Sequence, residues 1–295
     1  MKAEKFKNAL YHIPLILLGL AFLFPVILTL SNSFMSSSEI YIRYARVVLA
    51  ENHYDLNYGN IHFANMDLIP WSVSFGQYMS LLFDNTDYLN AFLNSVKLAF
   101  PIVFGQILIG IPTAYAFEFS KLKFKEVLFF IYIVVMFLPV QVSLGPNLMT
   151  TQFLKIESGT LAIILTAIFS PFTAFLFRQY LKSMPKEYIE AAKIDGAGHF
   201  TIIARIILPL FKSAVAAAAI LSFTTYWNMV EQVLVFIKES YDYPLSTYLP
   251  DIAAKSPGIA FAGSCFYMLP ALIVFLYGRK ELVAGVANSA IQAGR

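Results

Sequence analysis

The residues that offer chemistry inside this chain's apolar segments are amides, hydroxyls and aromatics rather than acids, bases or nucleophiles. Gln106, Thr113, Gln141, Asn147, Thr173, Thr224, Thr225, Tyr226, Trp227 and Asn228 all fall in long apolar stretches. Amides and hydroxyls donate and accept, so they match the hydroxyls of a neutral polyhydroxy solute, and an aromatic face packs on the C–H face of a pyranose. Gln141, Asn147, Tyr226, Trp227 and Asn228 are the candidates for lining a solute path. The same residue types also hold helices together, and Trp also marks membrane interfaces.

Other chemistries find little support. Glu118, Glu126, Glu231 and Glu281 lie near span ends, whereas a proton relay needs carboxylates near the midplane. No basic residue is read within a span, which favours a neutral solute over a phosphorylated one. The chain has no Gly-Lys-Ser/Thr, Gly-x-Gly-x-x-Gly, Gly-x-Ser-x-Gly or His-Glu-x-x-His pattern, so neither a phosphate cradle nor a hydrolytic site is expected. The single cysteine, Cys265, reads as a packing residue, and His12, His53, His62 and His199 form no ligand cluster.

The elements that must position these groups are membrane helices. The chain is 58% hydrophobic and 13% charged, against about 25% charged in soluble proteins. Its mean hydropathy is +0.66. This is the composition of an all-α integral membrane protein. Six stretches approach the roughly 20 residues that a helix needs to cross a hydrocarbon core: 10–32, 93–118, 126–149, 160–181, 211–236 and 258–278. The first is too long for a signal-peptide core and reads as a retained span. Fifteen of the 21 Lys and Arg residues fall on one side of this topology. That bias places both termini (1–9 and 279–295) and the 182–210 loop in the cytoplasm. Segment 33–92 then lies outside; its part around 40–70 reads either as a small ordered cap or as a solvated loop.

The 182–210 loop is the one long inter-span stretch patterned as two ordered helices. Pro185 and Glu187 suit a first turn, since Pro pre-sets the backbone and a carboxylate opposes the dipole. Tyr188, Ala191, Ala192 and Asp195 follow at helical spacing, and Gly196 and Gly198 read as its end. A second helix is expected to present Phe200, Ile203, Ile207 and Leu210 on one face, with Pro209 closing it. Spacing alone fits two readings: a helix lying among lipid headgroups, or one docking on a partner through small residues and a carboxylate.

Glu190-Ala191-Ala192, Asp195-Gly196-Ala197 and Leu208-Pro209 resemble the EAA loop of binding-protein-dependent ABC importer permeases, and specifically the carbohydrate permeases of the maltose type. Shorter matches in the same order extend the resemblance over about 70–280: Asn94-Ser95, Ala114-Tyr115-Ala116-Phe117, Leu138-Pro139, Ser170-Pro171-Phe172, Phe177-Arg178-Gln179-Tyr180 and Trp227-Asn228. The tail, Ala284 to Gly294, departs from the family's Gly-Ala-Val-Lys-Gly pattern, and Gln77-Tyr78 stands where Asn-Tyr is common.

The resemblance implies six spans with a coupling helix between the fourth and fifth. Glu190, Ala191, Ala192, Asp195, Gly196, Ala197, Leu208 and Pro209 would make the contact with the ATPase. It further implies a second homologous permease, two cytoplasmic ATPase subunits that bind the ATP and Mg, an extracytoplasmic sugar-binding protein, and a bacterial or archaeal cytoplasmic membrane. The chain itself would hold no cofactor or metal, bind no nucleic acid and catalyse nothing. The expected function is the permease of an ATP-driven sugar importer. The alternatives are an ABC permease for another solute (polyol, uronide or phosphodiester), an ATP-independent carrier and a non-transporting scaffold.

Overall fold

The computed structural model describes the backbone of residues 2–52 and 68–293, and the side chains of residues 12–44 and 68–280. The rest of the 40–70 segment, and the Ala284–Gly294 tail as regards its side chains, lie outside the described residues. Residues up to Asn90 with Thr247–Leu269 form one compact unit, and Ala91–Ser246 with Pro270 onward form another.

The helices, in chain order, are α1 (Lys2–Asn32), α2 (Ser37–Asn52), α3 (Thr86–Phe119), α4 (Lys125–Met136), α5 (Val140–Phe153), α6 (Gly159–Ala167) and α7 (Pro171–Ser183). They continue with α8 (Glu187–Ile194), α9 (His199–Leu210), α10 (Lys212–Trp227), α11 (Glu231–Phe236), α12 (Leu245–Lys255) and α13 (Pro257–Ala293). Among the described residues, four stretches are long and apolar enough to cross a membrane, or up to six if each sharply bent pair is one span. The fold is all-α. A helix apolar all round must face lipid or a large core, and none of the most apolar 18-residue window within His12–Asn32 is buried by the described chain.

Three expected spans are not single helices. The 126–149 stretch is α4 and α5, bent by 104° across Phe137–Pro139. Pro139 carries no N–H and biases Leu138 away from the helical region, so the ladder stops there. The 211–236 stretch ends as a helix at Trp227, and the short α11 follows after Asn228–Val230. A second bend, of 80°, separates α9 from α10 at Phe211, just past Pro209. The 160–181 stretch is two helices, with Ser170 capping α7 by accepting from the Thr173 N–H at 3.2 Å.

In the first unit the described parts of segment 33–92 are tied together. Met35 and Val73 form an antiparallel bridge. Glu39 and Arg43, both buried, pair at 2.7 Å. Glu39 also accepts the Trp71 N–H at 2.9 Å, and Arg43 lies 4.8 Å from the Trp71 ring centroid. These contacts tie the start of α2 to residues 68–75.

In the second unit, α3 approaches α6 and α7 closely because it carries glycine. A Cβ on Gly105 would come within 2.4 Å of Ile168, and one on Gly110 within 3.1 Å of Thr173. Ala214, Ala217 and Ala218 are buried on α10, so that small-residue run serves helix packing.

Candidate functional site

The 182–210 loop folds as a compact helical hairpin on the end of the second unit. α8 starts at Glu187, so Pro185 precedes the helix instead of sitting in its first turn. It ends at Ile194 in a Schellman motif: the Ala197 N–H reaches the Ala192 carbonyl at 2.9 Å, and the Gly196 N–H reaches Lys193 at 3.1 Å. Gly196 takes φ +80°, the left-handed angle that glycine adopts at least cost. Gly198, expected to help end α8, has extended geometry and instead precedes α9 as its N-cap.

One side of this hairpin is core. Ile189 and Ala192 of α8 and Ile202 and Ile207 of α9 join Phe177 and Leu181 of α7, Ala114 and Tyr115 of α3, and Phe211 and Ala214 in one buried cluster. Tyr115 Oη lies 2.9 Å from His199 Nδ1, and Lys193 Nζ sits 5.7 Å from the Phe119 ring centroid, so α3 holds both helices of the hairpin.

The other side is bare. Glu190, Ala191, Asp195 and Tyr188 are exposed, while Ala192, expected beside them, is only 8% exposed and faces inward. The expected apolar face of α9 is also corrected. Phe200 is 83% exposed and Leu210 53%, whereas Ile202 and Ile207 are fully buried. Residues Ile203–Ile207 form a π turn with i→i+5 bonding, which brings residues five apart onto one face. Ile194, at 86% exposure and four residues after Glu190 on α8, adds a large apolar group to that helix's exposed side, a group the sequence pattern does not single out. Ala197 is half-buried, Leu208 is exposed, and Pro209 lies in the last turn of α9.

The interior polar residues separate into glue and accessible groups. Gln106 of α3 is 2% exposed, and its amide is saturated. Nε2 donates to the Ala167 carbonyl (2.7 Å) and Tyr226 Oη (3.0 Å), while Oε1 accepts from Ser222 (2.6 Å) and Thr173 (3.2 Å). An amide offers two donors and two lone pairs, so nothing remains for a solute. Thr113, Thr224 and Thr225 bond back to their own helices. Trp227 is 1% exposed, stacked on Phe223 and edge-on to Phe92, so it presents no open ring face.

Gln141, Asn228 and Glu231 are exposed, and Asn147 and Tyr226 are half-buried. Gln141 Nε2 donates to both Glu231 oxygens, at 2.7 and 2.9 Å, and so ties α5 to α11. Glu231 is one of the four acidic residues that the sequence places near span ends.

Arg178 corrects the expectation that spans lack cations. It lies within the apolar Gly159–Ser183 stretch, 1% exposed, and pairs with Glu118 at 3.1 Å and Glu126 at 2.5 Å. Its charge is therefore compensated. Lys97 also lies inside a long apolar helix, α3, with an exposed side chain that reaches Asn94 at 3.4 Å. Among the described residues no group of His, Cys, Asp or Glu is arranged to hold a metal ion. In the first unit, a cavity of about 380 Å³ is lined by Ser37, Tyr41, Gln77, Ser80, Lys255 and Ser256 among others. Nearby, burial pushes the Tyr78 phenol up to about 12, so it stays neutral at 2.6 Å from Ser33.

Comparison with known proteins places this architecture. Residues 106–279, more than half of the chain and including the hairpin, match the family described as "Binding-protein-dependent transport system inner membrane component". The chain belongs to this family. The permease is 27% identical over 279 residues (94% of this chain, 92% of the relative) to the arabinooligosaccharides transport system permease protein AraQ of Bacillus subtilis. It is 30% identical over 209 residues (69% and 70%) to the osmoprotective compounds uptake permease protein GgtD of Synechocystis. It is 26% identical over 286 residues (94% and 95%) to the sn-glycerol-3-phosphate transport system permease protein UgpE of Yersinia pestis. Its fold is that of a chain in the crystal structure of a bacterial ABC transporter involved in the import of the acidic polysaccharide alginate, with TM-score 0.77, 19% identity and coverage of 95% of this chain and 98% of that one. The permease is thus a multi-pass membrane component of a binding-protein-dependent importer.

Proposed function

We propose that the permease forms half of the solute path of an ATP-driven carbohydrate importer, and that its Glu187–Leu210 hairpin docks on a cytoplasmic ATPase. The observation that carries the docking is the two-sided hairpin. Ile189, Ala192, Ile202 and Ile207 fasten it to the bundle, while Glu190, Ile194, Asp195 and Phe200 are all exposed. Exposed apolar groups rimmed by charge are the anatomy of a protein contact. A headgroup-bound helix would favour cations on its polar face, whereas α8 exposes Glu187 and Glu190 in its first turn.

In this reading two ATPase subunits bind the ATP and Mg, and a second permease completes the path. An extracytoplasmic binding protein delivers the solute; a bacterial alginate ABC transporter of similar fold forms a complex with an alginate pentasaccharide-bound periplasmic protein. Both termini and the hairpin lie in the cytoplasm. ATP-driven approach of the ATPase subunits moves the hairpin, and the bundle opens outward. Gln141, Asn147, Tyr226 and Asn228 contribute polar groups to the path, with Trp227 as the packing beneath them.

The carbohydrate reading rests on the arabinooligosaccharide relative, which aligns over 94% of the chain, and on these uncharged path groups. The glycerol-phosphate relative supports a phosphate-ester solute as a second reading. Reconstitution with the partner subunits tests both: uptake of a labelled oligosaccharide should require ATP and the binding protein. Uptake of glycerol 3-phosphate but of no oligosaccharide would favour the second reading, and uptake without ATP would contradict both.

A further inference from the structure

Among the described residues of the second unit, Arg178 is the most deeply buried charge, and it joins three helices. Its Nε donates to Glu118 Oε2 at 3.1 Å, in the last turn of α3. Its Nη2 donates to Glu126 Oε1 at 2.5 Å, in the first turn of α4. The guanidinium carbon lies 4.0 Å from the centroid of Phe129, also on α4. Lys125 closes the same corner by donating to the Glu118 carbonyl at 2.7 Å. A planar fork engages two carboxylates and stacks on a ring at once; an ammonium on a flexible stem does not reproduce that geometry.

The neighbour of Arg178 on α7 does a different job. Phe177, with Leu181, belongs to the cluster that contains Ile189 and Ala192 of α8 and Ile202 and Ile207 of α9. α7 is therefore bound on one side to the hairpin and on the other, through Arg178, to the α3–α4 corner. From that corner α4 runs to the Pro139 break and on to α5, which carries Gln141 and Asn147.

A purely stabilising role fits this arrangement poorly. Buried ion pairs often contribute little net stability against apolar replacements. Here Nη1 is also buried without a hydrogen-bond partner, which adds a desolvation cost. Such a group fixes geometry more than it lowers energy.

We infer that Arg178 is a positioning residue of the transport cycle: by holding Glu118 and Glu126 together it makes α7 and the α3–α4 corner move as one body, so that displacement of the hairpin reaches the span bearing Gln141. This rests on the hairpin being the ATPase-docking element. The residue touches neither solute nor nucleotide; it sets how much hairpin movement arrives at the path.

The test uses the whole complex in proteoliposomes, with ATP hydrolysis and solute uptake measured on the same preparation. Arg178→Lys should keep the ATPase subunits and their hydrolysis but lower uptake per ATP by roughly tenfold, the scale of a typical coupling energy. Glu126→Gln, at a side chain 64% exposed, removes one arm without burying an unpaired charge, and should lower the same ratio by less. An unchanged ratio in both variants overturns the inference. So does loss of hydrolysis and uptake in equal proportion, which marks a structural role. Failure of the docking reading shows separately, in ATPase subunits that stay bound and stimulated when Glu190 on the hairpin is reversed to Arg.

Discussion

Gln141 gives two hydrogen bonds to one carboxylate, its Nε2 lying 2.7 Å from Glu231 Oε1 and 2.9 Å from Oε2, and so joins α5 to α11. Both side chains are exposed, so the contact adds little to stability; exposed polar pairs contribute about 0–1 kcal/mol. Its geometry suits a solute instead, because a carboxylate accepts from adjacent hydroxyls as readily as from an amide. Glu231→Gln and Gln141→Ala should raise the KM for uptake by about tenfold, as loss of one or two hydrogen bonds allows, while thermal unfolding in detergent is unchanged. A lower unfolding temperature with unaltered KM would assign the pair to packing.

The saturated amide of Gln106 behaves oppositely. Gln106→Leu strands the buried Ser222 hydroxyl and removes partners of the Ala167 carbonyl, Thr173 and Tyr226, at about 1–3 kcal/mol for each group left unsatisfied. Detergent-purified protein should unfold at clearly lower temperature, and any protein that remains folded should bind solute with ordinary affinity. Weaker solute binding in fully stable protein would move Gln106 into the path.

Two adjacent alanines give a sharper contrast. Ala192 faces the core at 8% exposure, and Ala191 faces out. Ala192→Leu should overpack the hairpin and cost about 1–3 kcal/mol, read as a lower unfolding temperature. Ala191→Leu should leave unfolding untouched and weaken recovery of the ATPase subunits on affinity purification of the permease. The two effects exchanged would place the docking face on the other side of α8.

The left-handed turn offers a backbone test. At φ +80° Gly196→Ala is strained at a cost of order 1 kcal/mol, while Gly196→Asn is tolerated better because Asn visits that region. ATPase stimulation should fall in the order Gly, Asn, Ala. Equal stimulation in all three would show that α8 keeps its seat without the Schellman turn.

Much of this was legible in the chain itself, for local reasons. Long apolar runs locate α1, α3 and α13, and the Glu190-Ala-Ala and Asp195-Gly196 spacing locates α8, because propensity and glycine act within a few residues. The failures have physical causes. The expected α9 face assumed a 3.6-residue period, and the π turn at Ile203–Ile207 turned Phe200 outward; the five-residue interval between Ile202 and Ile207 was the available signal. Pro139 was read as a family residue and not as the point where a span breaks by 104°. The roles of Gln106, Glu231 and Arg178 depend on partners 52 to 120 residues away, which no periodicity encodes.

The most direct measurement is affinity purification of the co-expressed complex, with its ATPase activity, for Glu190→Arg beside the unaltered chain. Glu190 is exposed on the bare face of α8, so the change leaves the permease folded and in the membrane. The account predicts loss of the ATPase subunits, or of their stimulated hydrolysis, with the permease still inserted. Normal binding and normal stimulation would contradict it, and the Glu187–Leu210 hairpin would then not be the docking element.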